Sequence, residues 1–224
     1  MLVRDWMSTE VTTITDEASV MKAGKIMREK KIRRLPVVDK DMRLIGIVTE
    51  WDIKTASPSA ATTLDMYEIT HLLTEIKVRE VMTKKPVHLH PEDSVEKAAL
   101  IMRNRKIGGL PVVDDTGKVL GMLTDTDVFH FLISITGIDL GGVQMGFKLP
   151  VAEGSLKPIL DDLRAKGGRI VSILSSYERS TAGERSVYIR IHSLGAEEEE
   201  ALHKTLDAKY GLIFWTKDAE GPLT

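Results

Sequence analysis

The 224-residue sequence contains no cysteine. That absence removes disulfides, thiolate metal sites and cysteine nucleophiles together, and it suits a reducing compartment. No stretch approaches the roughly 18–20 apolar residues that a membrane span needs. The opening MLVRDWMSTE has no apolar run behind a basic segment, so no secretion signal is expected and a cytoplasmic location is the default. Neither sign of charge dominates. With 31 Lys and Arg against 33 Asp and Glu, the net charge is -2, which gives no broad attraction to nucleic acid or anionic membrane. G-x-S-x-G, Walker A and H-E-x-x-H patterns are missing as well. With no nucleophile and base to pair, the expectation is that the chain is not an enzyme. What is present is ordinary globular composition, 42% hydrophobic and 29% charged, in a chain long enough for one large domain or two modest ones.

The chain repeats itself at an offset of about 75 residues. The 50-residue segment from Arg4 aligns without a gap on the segment from Arg79, and about 20 of the 50 positions are identical, well above chance. Two copies are too few for a solenoid and suit a pair of equivalent lobes. Each copy opens with a short extended segment, Val11–Ile14 or Val87–Leu89. Ser19 and Ser94 then precede helical patterns, Val20, Ala23, Met27 and Lys31 against Val95, Ala98, Met102 and Lys106, with serine as N-cap. Leu35–Asp39 with Leu44–Thr49, and Leu110–Asp114 with Val119–Thr124, read as strand pairs, and a second helix starts at Glu50 or Asp125. Two βαββα units packed about a pseudo-twofold axis would share one core and present two equivalent clefts. The methionines Met21, Met27, Met102 and Met122 read as core filler. Between the copies, Leu64, Tyr67, Ile69, Leu72, Leu73 and Ile76 suggest an amphipathic linker helix behind a turn-rich A-S-P-S segment.

The last third changes pattern after the glycine-punctuated break Thr136–Gly142. Met145, Phe147 and Leu149 alternate as a half-buried strand; a helix follows with Ser155 as N-cap, Pro158 in its first turn and Gly167-Gly168 at its end. Arg169–Ser176 and residues 186–191 are strands, Gly195–Lys209 is a helix, and Gly211–Thr216 is expected to be a buried strand. Glu197–Glu200 reads as a solvated face that complements the helix dipole. The order βαββαβ favours a four-stranded antiparallel sheet with both helices on one face.

These residues carry two resemblances. Met-Ser/Thr near the start of each copy, then I-x-x-L-P-V-V-D and G-h-h-T-x-x-D, resemble the CBS repeat, and the tandem resembles a Bateman module. The last third, through G-S-L before its first helix and G-G-x-I-x-S-I after it, resembles an ACT domain. A CBS pair joined to an ACT-like domain, with A-S-P-S between the repeats, resembles the acetoin-utilisation (AcuB-like) proteins. The expected fold is therefore α+β or α/β, two pseudo-symmetric βαββα repeats packed as one module plus a ferredoxin-like βαββαβ domain. Its parts are repeat one at 1–58, a linker helix at 59–76, repeat two at 77–137 and the ACT-like domain at 142–218.

The strongest chemical pattern is Thr49-x-x-Asp52 and its duplicate Thr124-x-x-Asp127. Read locally, each is a capping box at a helix start. Read chemically, a carboxylate at a strand end suits ribose hydroxyls, and a helix N-terminus favours an anion. The CBS resemblance implies the ribose role for Asp52 and Asp127, with Thr49 and Thr124 near ribose or phosphate. It implies base contacts from the backbone of Thr13 and Ile14 and of Val87, His88 and Leu89. It implies apolar walls from Ile32, Leu35 and Pro36 and from Ile107, Leu110 and Pro111. Between these, Arg33-Arg34 in one copy stands against Gly108-Gly109 in the other, so the first site would favour more phosphorylated ligands. Both arginines could equally be solvated loop residues. His88 and His90 lie on one face but lack a third ligand, so no metal is expected.

The leading expectation is a sensor of adenine nucleotides (AMP, ADP or ATP) that needs no cofactor, binds neither nucleic acid nor membrane, and signals to its ACT-like domain or an unknown protein partner. The resemblance further implies a homodimer. Alternatives are an oligomerisation scaffold with unused clefts, and an amino-acid sensor acting through Glu153, Gly154, Ser155 and Leu156.

Overall fold

A computed structural model describes residues 1–56, 71, 73–178 and 180–219. The chain divides into two compact units, Met1–Val128 and Phe129–Thr224.

In the first unit, β1 (Ile14–Thr15) leads to α1 (Val20–Lys30), β2 (Arg34–Val38), β3 (Leu44–Thr49) and α2 (Glu50–Ala56). A short helix α3 (Val78–Val81) and β4 (Thr83–Lys84) open the second repeat, which continues with α4 (Val95–Arg105), β5 (Gly109–Val113), β6 (Val119–Thr124) and α5 (Asp125–Thr136). The serine caps are as expected: Ser19 accepts from the Lys22 amide at 3.2 Å and Ser94 from the Lys97 amide at 3.1 Å. Val20, Ala23 and Met27 on α1, and Val95, Ala98 and Met102 on α4, are the buried faces. Lys31 and Lys106 are not part of those faces. Each closes its helix in the left-handed conformation, with φ of 53° and 55°, and is exposed. Of the expected linker helix, His71 and residues 73–75 are helical and most of the rest lies outside the described residues.

The two repeats are not self-contained. Each sends its opening residues into the other. The turn Val3–Asp5 sits on the start of α4, where the Val3 amide donates to the Asp93 carbonyl at 2.8 Å and the Val95 amide donates to Met1 at 3.0 Å. In mirror fashion, the Val78 amide donates to Ala18 at 2.8 Å and the Val20 amide to Ile76 at 2.9 Å, at the start of α1. Ser8 pairs with Met122 on β6, while Thr83 and Lys84 pair with Ile47 and Gly46 on β3. Glycine leaves room for both crossings. A methyl on Gly121 would come within 2.6 Å of the Ser8 carbonyl, and one on Gly46 would collide with Met82.

The hydrophobic core follows this exchange. The duplication predicts one shared core, whereas the unit holds two. Ile14, Ala23, Met27, Leu35, Val37 and Val48 pack with Val78 from the second repeat; Leu89, Ala98, Met102, Leu110, Val112 and Leu123 pack with Val3 from the first. Each βα lobe is too thin to bury its apolar face alone, and the borrowed residue closes it.

The second unit has the expected order: β7 (Gly142–Pro150), α6 (Lys157–Ala165), β8 (Ile170–Ser176), β9 (Glu184–Ile191), α7 (Ala196–Tyr210) and β10 (Leu212–Asp218). Its sheet runs β10-β7-β9-β8, antiparallel throughout. Val143, Met145, Phe147 and Leu149 of β7 and Val187, Ile189 and Ile191 of β9 pack against Ile159 and Leu163 of α6 and Leu202 and Leu206 of α7, which places both helices on one face.

Three local expectations are corrected in this unit. Ser155 is not the cap of α6; Leu156 occupies that position in a helical conformation, because the helix begins immediately before Pro158, and the Ser155 hydroxyl meets Arg185 Nη2 at 3.5 Å. The strand expected as buried, β10, is a half-exposed edge strand with a single neighbour, β7. Glu199 leaves the solvated run: it is 8% exposed and accepts from the Leu194 amide at 3.0 Å and from Lys217 at 2.8 Å. Arg190, on the face of β9 opposite the core, is buried too, and its Nη1 donates to Asp218 and to the Gly141 carbonyl, both at 2.9 Å.

Candidate functional site

The exchange of opening segments builds a cleft of about 250 Å³ from both repeats of the first unit. Ser8, Glu10, Val11 and Thr12 form one side, Lys31, Ile32, Arg33, Arg34 and Pro36 a second, and Met122 with Thr124, Asp125 and Thr126 a third. Val11, Ile32, Pro36 and Met122 offer apolar surface, Lys31, Arg33 and Arg34 offer three cations, and the first turn of α5 meets them. An apolar wall opposite fixed positive charge suits a flat organic ring carrying an anion.

At that helix start the Thr-x-x-Asp pattern forms the same geometry twice. Asp127 Oδ2 accepts from both the backbone amide and the hydroxyl of Thr124, each at 2.7 Å, and the Asp127 amide reaches back to Thr124 Oγ1 at 3.4 Å. Asp52 and Thr49 repeat this with 2.7, 2.7 and 3.3 Å. Among the described residues Oδ1 of neither aspartate accepts a hydrogen bond, so each half-buried carboxylate has one oxygen uncommitted there. Capping and ligand contact are therefore compatible in one side chain. Thr124 lines the cleft itself, and Asp127 is hydrogen-bonded to it.

The grouping differs from that expected of the sequence. Ile32, Arg33, Arg34 and Pro36 meet Thr124 of the second repeat across the cleft. Arg33 and Arg34 also border a shallower depression with Thr49, Glu50, Trp51 and Lys54. Thr13 gives way to its neighbour Thr12 in the cleft lining, and Ile14 turns into the core. Leu35, Leu89 and Leu110 are 0% exposed members of the two cores and do not line the cleft. Pro111 is buried, whereas Val87, His88 and Ile107 are exposed. Ser8, Glu10, Lys31, Met122, Asp125 and Thr126 were not legible as cleft residues, since reading each repeat by itself hides a surface made from two.

Arg34 has the most demanding environment. Its Nη1 donates to the carbonyl of Gly108 in the other repeat. Burial pushes its pKa down from the ordinary arginine value, Asp125 acts upward against this, and Arg33 adds to the lowering; the guanidinium remains charged. Arg33 lies 3.8 Å from Asp125. Lys54, at 2.9 Å, holds the Glu50 carboxyl below its usual range, with a smaller push from Arg33. His88 and His90 stack edge-on at 5.9 Å, and among the described residues no group of three or more His, Asp or Glu could hold a metal ion. Nor is any described helix long and apolar enough to cross a membrane.

In the second unit, Glu153 and Gly154 are exposed, while Ser155 and Leu156 are half-buried. Gly154 adopts φ 75°, and Ser155 lies beside Arg185, whose buried Nε has no partner among the described residues.

Comparison with known proteins places this arrangement. A crystal structure of CBSX2, a CBS-pair protein of Arabidopsis thaliana, in complex with AMP is 27% identical over 60% of this chain and 97% of its own, with a TM-score of 0.52. A structure assigned as an acetoin utilization protein (AcuB) from Vibrio cholerae is 28% identical over 62% of this chain and 94% of its own, with a TM-score of 0.51. A homoserine O-acetyltransferase of Methanohalobium evestigatum is 38% identical over 130 residues, 58% of this chain but 24% of that protein. The chain thus spans about a quarter of the length of this curated relative. The CBS domain pattern itself matches twice, at residues 3–59 and 78–134, which together make up just over half the sequence. The chain belongs to the CBS domain family, as a tandem CBS pair followed by a second compact unit.

Proposed function

We propose that this protein is a ligand-sensing regulator whose CBS pair binds an adenine nucleotide, AMP, ADP or ATP, and that it is not an enzyme. The observation that carries the reading is the cleft itself: apolar Val11, Ile32, Pro36 and Met122 face Lys31, Arg33 and Arg34 at the helix start held by Thr124 and Asp127. A base would lie on the apolar wall, the ribose hydroxyls would reach the unused oxygen of Asp127, and phosphate would meet the arginines. Val87, His88, Ile107, Gly108 and Gly109, with Thr49 and Asp52, are the corresponding candidates for a second site. AMP in the related CBSX2 supports the ligand class. The acetyltransferase likeness is confined to about a quarter of that protein.

In this reading the second unit is an ACT-like domain, the protein acts in the cytoplasm as a homodimer, and its state is passed to that domain or to a protein partner. Helix α5 carries Asp127 in its first turn and continues to Thr136, across the division of the chain at Val128. It is the segment on which such a relay would begin.

Calorimetric titration with AMP, ADP and ATP tests the reading. Asp127→Ala is expected to weaken binding about tenfold, the loss of a charge-assisted hydrogen bond of roughly 1.5 kcal/mol, and Asp52→Ala is expected to do the same at the second site. Unchanged affinity in both variants would remove the site assignment. A scaffold with unused clefts would show no melting shift at all, whereas a ligand at a hundred times its Kd adds about 2.7 kcal/mol. A second reading, an amino-acid sensor, is favoured by Arg185 Nε, which lies beside Ser155 and has no partner among the described residues. A melting-temperature screen of amino acids distinguishes it from the first.

A further inference from the structure

Resting on the nucleotide reading of the cleft, we propose that the Arg34 guanidinium has two alternative partners, so that phosphate captured in the first cleft competes with the hydrogen bond that Arg34 makes to the Gly108 carbonyl of the other repeat.

Arg34 begins β2 opposite Thr49 and lines the cleft that contains Thr124. Its tip nevertheless ends in the other repeat, where Nη1 donates to the Gly108 carbonyl. The repeat alignment makes Gly108 and Gly109 the counterparts of Arg33 and Arg34. The structure supplies a reason for glycine at both. A methyl on Gly109 would collide with Arg34 Nη1, and one on Gly108 would lie 2.8 Å from Nη2 and 2.7 Å from Asp125 Oδ2. The glycine pair is thus the berth of a side chain from the opposite repeat. One repeat carries the cation and the other carries the space for it.

That berth is a modest competitor. A neutral carbonyl holds Nη1, and Asp125 contributes its field, but Asp125 is also approached by Arg33 at 3.8 Å. A phosphate dianion offers a stronger, two-pronged partner, and gripping it with the end of the guanidinium draws Nη1 away from the carbonyl. Ligands with a phosphate would then release Gly108, and those without one would leave the berth filled. Coupling of this kind is reciprocal: whatever empties the berth must strengthen phosphate binding in the first cleft.

Gly109→Ala evicts the tip while keeping the charge, because the colliding atom is the far end of a flexible side chain. In calorimetry on the full chain, Gly109→Ala is expected to tighten AMP binding three- to tenfold, and Arg34→Gln to weaken it about tenfold. In the first cleft, adenosine, which lacks the phosphate that Arg34 would hold, is expected to change less than AMP in either variant. In the double variant the gain from Gly109→Ala should vanish. AMP affinity that is unchanged or weaker in folded Gly109→Ala overturns the competition while leaving the nucleotide site standing. Failure of the unsubstituted protein to bind either AMP or adenosine overturns both. Should Gly109→Ala not fold, the carbonyl carbon of Gly108 in the unsubstituted protein decides the matter. Its NMR resonance is expected to move upfield on saturation with AMP and to stay in place with adenosine, and a resonance that AMP leaves unmoved overturns the proposal.

Discussion

Glu199 illustrates how far a single rotation along a helix can separate neighbours of identical chemistry. Its fellow glutamates 197, 198 and 200 are exposed, while its own carboxylate is turned inward, satisfying the Leu194 amide and Lys217. Glu199→Ala leaves that amide without its acceptor and is expected to cost about 1–3 kcal/mol in urea unfolding, and Glu199→Gln about half as much. The same substitutions at Glu197 should stay within about 0.5 kcal/mol. The two Thr-x-x-Asp boxes belong to this scale as well. Their spacing is visible in the chain, and the hydrogen bonds formed are those of a capping box. That one carboxylate oxygen accepts no hydrogen bond among the described residues is visible only once the donors around it have been placed.

Between elements, Asp162 links α6 to the end of α7. It accepts from Lys209 at 2.9 Å and from the Tyr210 hydroxyl at 2.7 Å. Lys209 and Tyr210 hold the Asp162 carboxyl below its usual range, and Asp162 in turn raises the Tyr210 hydroxyl. A lowered carboxylate contributes stability that is complete above its ordinary value of 3.8 and disappears as the pH falls through the folded value. A raised tyrosine contributes stability that is complete below its ordinary value of 10.0 and disappears as the pH climbs through the folded one. The stability difference between the natural protein and Asp162→Asn should therefore be greatest around neutrality and shrink at both extremes. Urea unfolding of the two proteins from pH 2.5 to 11 measures it, and a difference independent of pH would dismiss the link. Sequence pattern located α6 and α7. It was silent about Asp162, which serves a neighbour 47 residues away.

At the scale of the whole molecule, the exchange of opening segments ties the two repeats of the first unit together. Val3 is fully buried among Leu89, Ala98, Leu110 and Leu123, none of them from its own repeat. Val3→Ala removes two buried methyl groups and is expected to cost about 2 kcal/mol. Its signature is positional: hydrogen exchange should accelerate over residues 95–124 and leave 20–49 protected. Loss of protection in the first repeat instead would contradict the exchange.

The sequence by itself determined the duplication, the helix caps at Ser19 and Ser94, the strand pairs, and the βαββαβ order of the second unit. All of these are set by neighbours within a few residues or by comparison of the chain with itself. Tertiary structure decided which halves face each other: Val3 in the second core, Ile32 and Arg34 against Thr124, the Arg34 tip on Gly108. The physical reason is that a repeat carries the same local signals whether it closes on itself or on its twin. Only the packing of apolar faces too thin to close alone chooses between the two, and that choice makes the cleft.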